Sequence, residues 1–130
     1  MELISIGLKP DESKLVKDFI LLPLLLDVME KDQGILSAAA LKMPVITNTI
    51  IKRLQKAALA DLSQVRQDMR QRGMKVYEER KTRLGVEVEF LCRGYHHKLS
   101  VLWGLVEAEI EQRSYTYLGF DISDKRGNIN

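Results

Sequence analysis

The chain has 130 residues, 45% of them hydrophobic and 29% charged, with a net charge of +2. Those values exclude a disordered polymer and fit one globular domain able to bury a core without staples. A single cysteine, Cys92, excludes an internal disulfide and fits a reducing compartment.

Residues 1–8 read as a short extended lead-in, with Ile4, Ile6 and Leu8 alternating as on a strand. No basic region runs into an apolar stretch there, so no secretory signal is expected. Pro10, Asp11, Glu12 and Ser13 form a helix-start cluster, with Asp11 or Ser13 as candidate caps. The helix that follows is apolar on nearly every side from residue 19 to 26, which predicts burial. Pro23 and Asp27 interrupt this run, which is far shorter than the roughly 20 residues of a membrane span. No membrane partner is expected, and the chain reads as cytoplasmic. Pro23 predicts a kink or break, and Gly34 predicts a stop.

An alanine-rich segment, residues 35–42, predicts a separate short helix of two turns. Met43-Pro44 marks a boundary, and a long helix follows over residues 44–72. On it Ile51, Leu54, Ala58, Leu62, Val65 and Met69 recur at steps of three and four, one apolar stripe. Such a helix either projects beyond its own core or meets a second copy. The stripe, with Ile51, Leu54, Leu62, Val65 and Met69 as contacts, is the expected seam of a homodimer; the alternative is packing inside one subunit against Leu15–Met29 and Leu99–Ile110.

Gly73 ends the long helix. Residues 74–81 and 86–93 read as two strands joined at Thr82-Arg83-Leu84-Gly85, with Gly85 free to take positive φ, hence a β-hairpin within residues 74–93. Gly94 is read as opening the last helix, because Tyr95, Leu99, Leu102, Trp103, Val106 and Ile110 keep helical spacing. Gly119 stops it. Residues 1–120 are thus expected to form one helical domain, with residues 121–130 a flexible polar tail. The fold class is α+β and mainly helical, a helix bundle with one β-hairpin.

Charge is unevenly distributed. Residues 1–41 carry a net −3, residues 42–84 a net +7 and residues 85–130 a net −2. The positive charge sits on the long helix and the hairpin, which points to an anionic partner.

Sites for catalysis are not evident. No glycine-rich phosphate loop, Gly-x-Ser-x-Gly elbow or His-Glu-x-x-His helix is present. Cys92, His96 and His97 lie close in sequence, but their spacing matches no metal pattern; His96 and His97 are expected in the first turn of the last helix and Cys92 as a small buried apolar residue. Glu107, Glu109 and Glu111 alternate, so they share no helix face. The reading is a protein that is not an enzyme, with no cofactor and no metal. Tyr77, among Lys75, Arg80 and Lys81, is a candidate stacking platform for a single strand.

The order helix, short helix, tight turn, basic helix, hairpin and helix, over residues 12–93, resembles the winged helix-turn-helix family of DNA-binding domains. The resemblance implies groove-facing side chains at Thr47, Asn48, Lys52 and Arg53, where Asn reads adenine and Arg reads guanine. It places Lys56, Arg80, Lys81 and Arg83 on phosphates. The sequence departs from that family in residues 57–73, which separate the basic turns from the hairpin. They imply either a bend near Asp61-Leu62-Ser63 or a hairpin that is not a wing. The function expected is a small regulator binding double-stranded DNA. The alternative is a non-enzymatic adaptor that docks a protein partner or itself.

Overall fold

The computed structural model describes residues 2–4 and 7–119. The fold is α+β and mainly helical. Its elements are β1 (Glu2–Ile4), α1 (Pro10–Ala38), α2 (Pro44–Gln71), β2 (Met74–Lys81), β3 (Gly85–Cys92), β4 (Tyr95–Leu102) and α3 (Trp103–Tyr117). The polar tail expected over residues 121–130 lies outside the described residues.

The first helix begins at Pro10, and the orphan N–H of Lys9 donates to Glu12 Oε1 at 3.0 Å. Glu12 therefore satisfies the helix start, in place of the Asp11 or Ser13 side chain expected from sequence; Ser13 Oγ donates to the Pro10 carbonyl. The helix runs unbroken through Pro23 and Gly34. Pro23 is exposed, so water is at hand for the Phe19 carbonyl that it leaves without a donor. Gly34 keeps negative φ, and the alanine-rich residues after it carry the helix on to Ala38. No separate short helix forms over residues 35–42. The helix-turn-helix order implied by the family resemblance is replaced by a two-helix hairpin, α1 and α2, linked through residues 39–43.

The second helix is continuous, so no bend occurs at Asp61-Leu62-Ser63. Its 28 residues span about 42 Å at the standard rise. Pro44 occupies its first turn, and Gly73, at φ +66°, turns the chain out of it. The apolar stripe Ile51, Leu54, Ala58, Leu62, Val65 and Met69 is buried, at most 7% exposed. The packing of α2 on α1 fills it, with Gln55 Nε2 donating to Gln33 Oε1 across the pair at 3.3 Å. The seam expected to join two copies is thus used within one chain, because α1 presents its own apolar face in the same polypeptide.

The expected hairpin is present as β2 and β3, but it belongs to a larger sheet. The order is β1-β4-β3-β2, all antiparallel. Residues 95–102 form strand β4 rather than the start of the last helix. The two-residue turn Arg93-Gly94, at φ +52° and +82°, returns the chain directly onto β3, which is the geometry a tight hairpin demands. His97, Leu99 and Val101 alternate into the core, while Tyr95 and Leu102 are exposed. The helical spacing seen in sequence had joined residues of opposite strand faces.

The inner face of the sheet supplies Val86, Val88, Phe90, Leu99 and Val101, each 1% exposed or less. Val16, Ile20, Leu22 and Leu25 of α1 and Val106 of α3 close the core over it. The helix α3 starts at the β2–β3 turn, where Trp103 Nε1 donates to the Thr82 carbonyl at 2.8 Å. It then crosses α1 through Arg113–Asp18 at 2.7 Å and Lys17–Glu109 at 3.7 Å. Near its end it reaches α2, where Tyr117 Oη donates to Asp61.

Candidate nucleic-acid interface

Four of the eleven cations of residues 42–84 stand together on α2. Lys52, Lys56, Arg66 and Arg70 of α2 are all exposed. With Leu59 and Ser63 between them, their spacing is four, three, four, three and four, so they share one ridge on the helix. The ridge is about 27 Å long from Lys52 to Arg70. The acidic residues of α2, Asp61 and Asp68, point elsewhere: Asp61 to Tyr117 and Arg113, Asp68 to Gln64 Nε2 at 2.9 Å. None of the four ridge cations has an ion-pair partner among the described residues.

Four other arginines are neutralised in place. Arg72 meets Asp11, which holds the Asp11 carboxyl below its usual range. Arg93 meets the buried Glu12, and Arg113 meets Asp18 and Asp61. Arg80 sits between Glu78, Glu87 and Glu89, donating to Glu89 at 2.8 Å. A bulge between Val76 and Glu78 sets this register, bringing Glu78 opposite Glu89 and Arg80 opposite Glu87. Hydrogen bonding to Glu89 raises the Arg80 pKa, and the same bond lowers that of Glu89.

The eight residues expected on DNA are therefore not one surface. Lys52 and Lys56 lie on the ridge, and Asn48, half-buried, continues it one turn toward the N-terminus. Thr47 is half-buried, with its hydroxyl turned back to donate to the Met43 carbonyl at 3.3 Å. Arg53 stands about 100° round the helix from Lys52, on the stripe of Ile46. Arg80 is caged by carboxylates, which removes its free charge from the hairpin. Lys81 and Arg83 are exposed at the β2–β3 turn, on a different element from the ridge. Two residues that sequence reasoning left out, Arg66 and Arg70, complete the ridge; continuing the three-and-four spacing from Lys56 would have found them.

The Cys92, His96 and His97 group does not converge. His97 is buried and stacks on Phe90 with centroids 5.5 Å apart, whereas His96, the next residue on the strand, points to the other face and meets Tyr77 Oη at 3.0 Å. Tyr77, the candidate stacking platform, is thus engaged at its hydroxyl. Cys92 is buried and its thiol donates to Glu12 Oε2 at 3.3 Å; burial, then Glu12, pushes the Cys92 pKa up. Among the described residues no helix is long and apolar enough to cross a membrane.

A family model described as YhjD protein matches residues 7–122. The chain belongs to the YhjD protein family. No curated protein and no solved structure matches it. The family match spans the helical hairpin, strands β2, β3 and β4, and α3, so the ridge on α2 belongs to the family's matched region.

Proposed function

We propose that this protein is a DNA-binding regulator that docks a duplex along the α2 ridge rather than through a winged helix-turn-helix. One observation carries the reading. Four cations lie in line on an accessible helix face without carboxylate partners among the described residues, while Arg72, Arg80, Arg93 and Arg113 are each neutralised in the fold. A row of free cations gains affinity for a polyanion by releasing its condensed counterions. Lys52, Lys56, Arg66 and Arg70 take phosphates, and Asn48, at the end of the ridge, is the side chain placed to read a base edge.

The reading makes a quantitative prediction. Duplex binding measured by fluorescence anisotropy should fall with salt at a log–log slope of about −3 to −4, the value for four neutralised phosphates. Lys56→Glu with Arg66→Glu should abolish binding at physiological salt without changing the thermal melt. Arg80→Gln should change DNA affinity far less than the ridge variant, since Arg80 stands on β2, away from the ridge, and its charge is held by Glu78, Glu87 and Glu89. No duplex binding by the wild-type chain at low salt would remove the proposal.

A further inference from the structure

The hairpin of α1 and α2 has two faces, and α3 covers one of them only in part. On α1, Val28 lies in an apolar groove against Met29, Ile110 and Leu118. Ile35, two turns further on, lies on the same side of the helix beyond the last residue of α3. On α2, Asp61 is the residue that α3 reaches, through Tyr117 and Arg113. Ala57 and Ile50, four and eleven residues earlier, lie on that same side, and Ile46 is one turn beyond Ile50. Among the described residues, the face that α3 covers near Asp61 and Val28 therefore continues uncovered toward the hairpin tip. Its side chains there are large and apolar: Ile35 is 69% exposed, Ile46 50% and Ile50 43%. Apolar exposure of this kind marks a contact surface.

The charges on this face indicate what covers it. On α1, Val28, Asp32 and Ile35 are spaced four and three; on α2, Ile46, Ile50, Arg53 and Ala57 are spaced four, three and four. Each helix thus places one charge within its apolar ladder, acidic on α1 and basic on α2. Asp32 and Arg53 are both exposed, and neither has an ion-pair partner among the described residues. A surface carrying one acidic and one basic ladder side by side is complementary to itself under a two-fold rotation, the requirement for an isologous interface.

We propose that the distal α1–α2 face joins two copies of this chain in a symmetric four-helix contact, with Asp32 of each copy paired to Arg53 of the other. The α1 ladder of one copy lies on the α2 ladder of its partner, and the isoleucines close around the two ion pairs. Arg53 thereby serves assembly, while the ridge of Lys52, Lys56, Arg66 and Arg70 stays open on another side of α2.

Sedimentation velocity on the full chain, from micromolar to sub-millimolar concentration, tests this. The wild type should be a dimer. Asp32→Arg and Arg53→Asp should each weaken dimerisation by about tenfold or more, since each sets like charges opposite one another. The double variant Asp32→Arg with Arg53→Asp should recover it. Ile50→Glu should give monomer, while Leu59→Glu, on the ridge side, should stay dimeric; far-UV circular dichroism checks that each variant folds. A wild-type monomer across the whole range overturns the proposal and leaves the face to another protein. So does a dimer indifferent to Asp32, Arg53 and Ile50, or a double variant no better than the single ones. Lys56→Glu with Arg66→Glu should remain dimeric, so loss of DNA binding and loss of assembly are read independently.

Discussion

Glu12 joins three parts of the molecule. It caps the start of α1 through the Lys9 N–H, accepts the Cys92 thiol, and meets the Arg93 guanidinium at the β3–β4 turn. Burial acts to raise its pKa, but the Lys9 N–H, the Cys92 thiol and the Arg93 charge together hold the pKa below the ordinary glutamate value of 4.5. A folded-state value below the unfolded one means that the charged carboxylate stabilises the native state above the unfolded value. That contribution fades as pH falls through 4.5 toward the lower folded value. Urea unfolding as a function of pH should therefore show stability dropping from about pH 5 downward. Glu12→Gln should be less stable at neutral pH and show a flatter acid limb. The sequence placed Glu12 correctly in the first turn of a helix. It could not show the other two partners, which stand eighty and eighty-one residues away.

At the level of elements, Gly85 illustrates how a correct turn can rest on a different cause. The sequence reading assigned it a positive φ at the hairpin loop. The residue opens β3 with negative φ, and its need is space: a Cβ there would stand 2.1 Å from the Val101 carbonyl oxygen and 2.9 Å from Leu102 Cα. Both are backbone atoms of β4, held by the sheet register, so they cannot swing aside. Gly85→Ala should cost at least about 1–3 kcal/mol of stability through overpacking, read as a lowered urea midpoint with an unchanged slope. Strand β4 is where local pattern misled most. Leu99, Leu102, Val106 and Ile110 keep a helical period, and it took the Arg93-Gly94 turn and the pairing with β3 to decide for strand. Likewise Gly34 reads locally as a stop, yet it keeps negative φ and the helix formers after it carry α1 on to Ala38.

For the whole molecule, stability centres on the contact of α1 and α3 with the inner sheet face. Phe90 is fully buried there, stacked on His97 and surrounded by residues of β3, β4, α1 and α3. Phe90→Ala should destabilise by about 3–5 kcal/mol, the usual cost of an aromatic core cavity, measured by equilibrium unfolding. The distal half of the α1–α2 hairpin contributes little to that core, which leaves it free for the proposed dimer contact. DNA affinity should likewise be insensitive to Phe90→Val at temperatures where the variant is folded, because the ridge lies outside the core.

The sequence by itself determined the mainly helical α+β class, the long α2 with its apolar stripe, the β2–β3 hairpin and the basic middle third. These follow from periodicity, turn residues and local charge, which are encoded in neighbouring positions. Tertiary structure alone decided which surfaces were left over. It buried the stripe of Ile51, Leu54, Leu62, Val65 and Met69 against α1, caged Arg80 with three glutamates, and left Lys52, Lys56, Arg66 and Arg70 without ion-pair partners among the described residues. It also left Ile35, Ile46 and Ile50 beyond the reach of α3. The reason is physical: whether an apolar side chain is covered or a charge is cancelled depends on what comes to lie against it, and that partner is set by long-range packing.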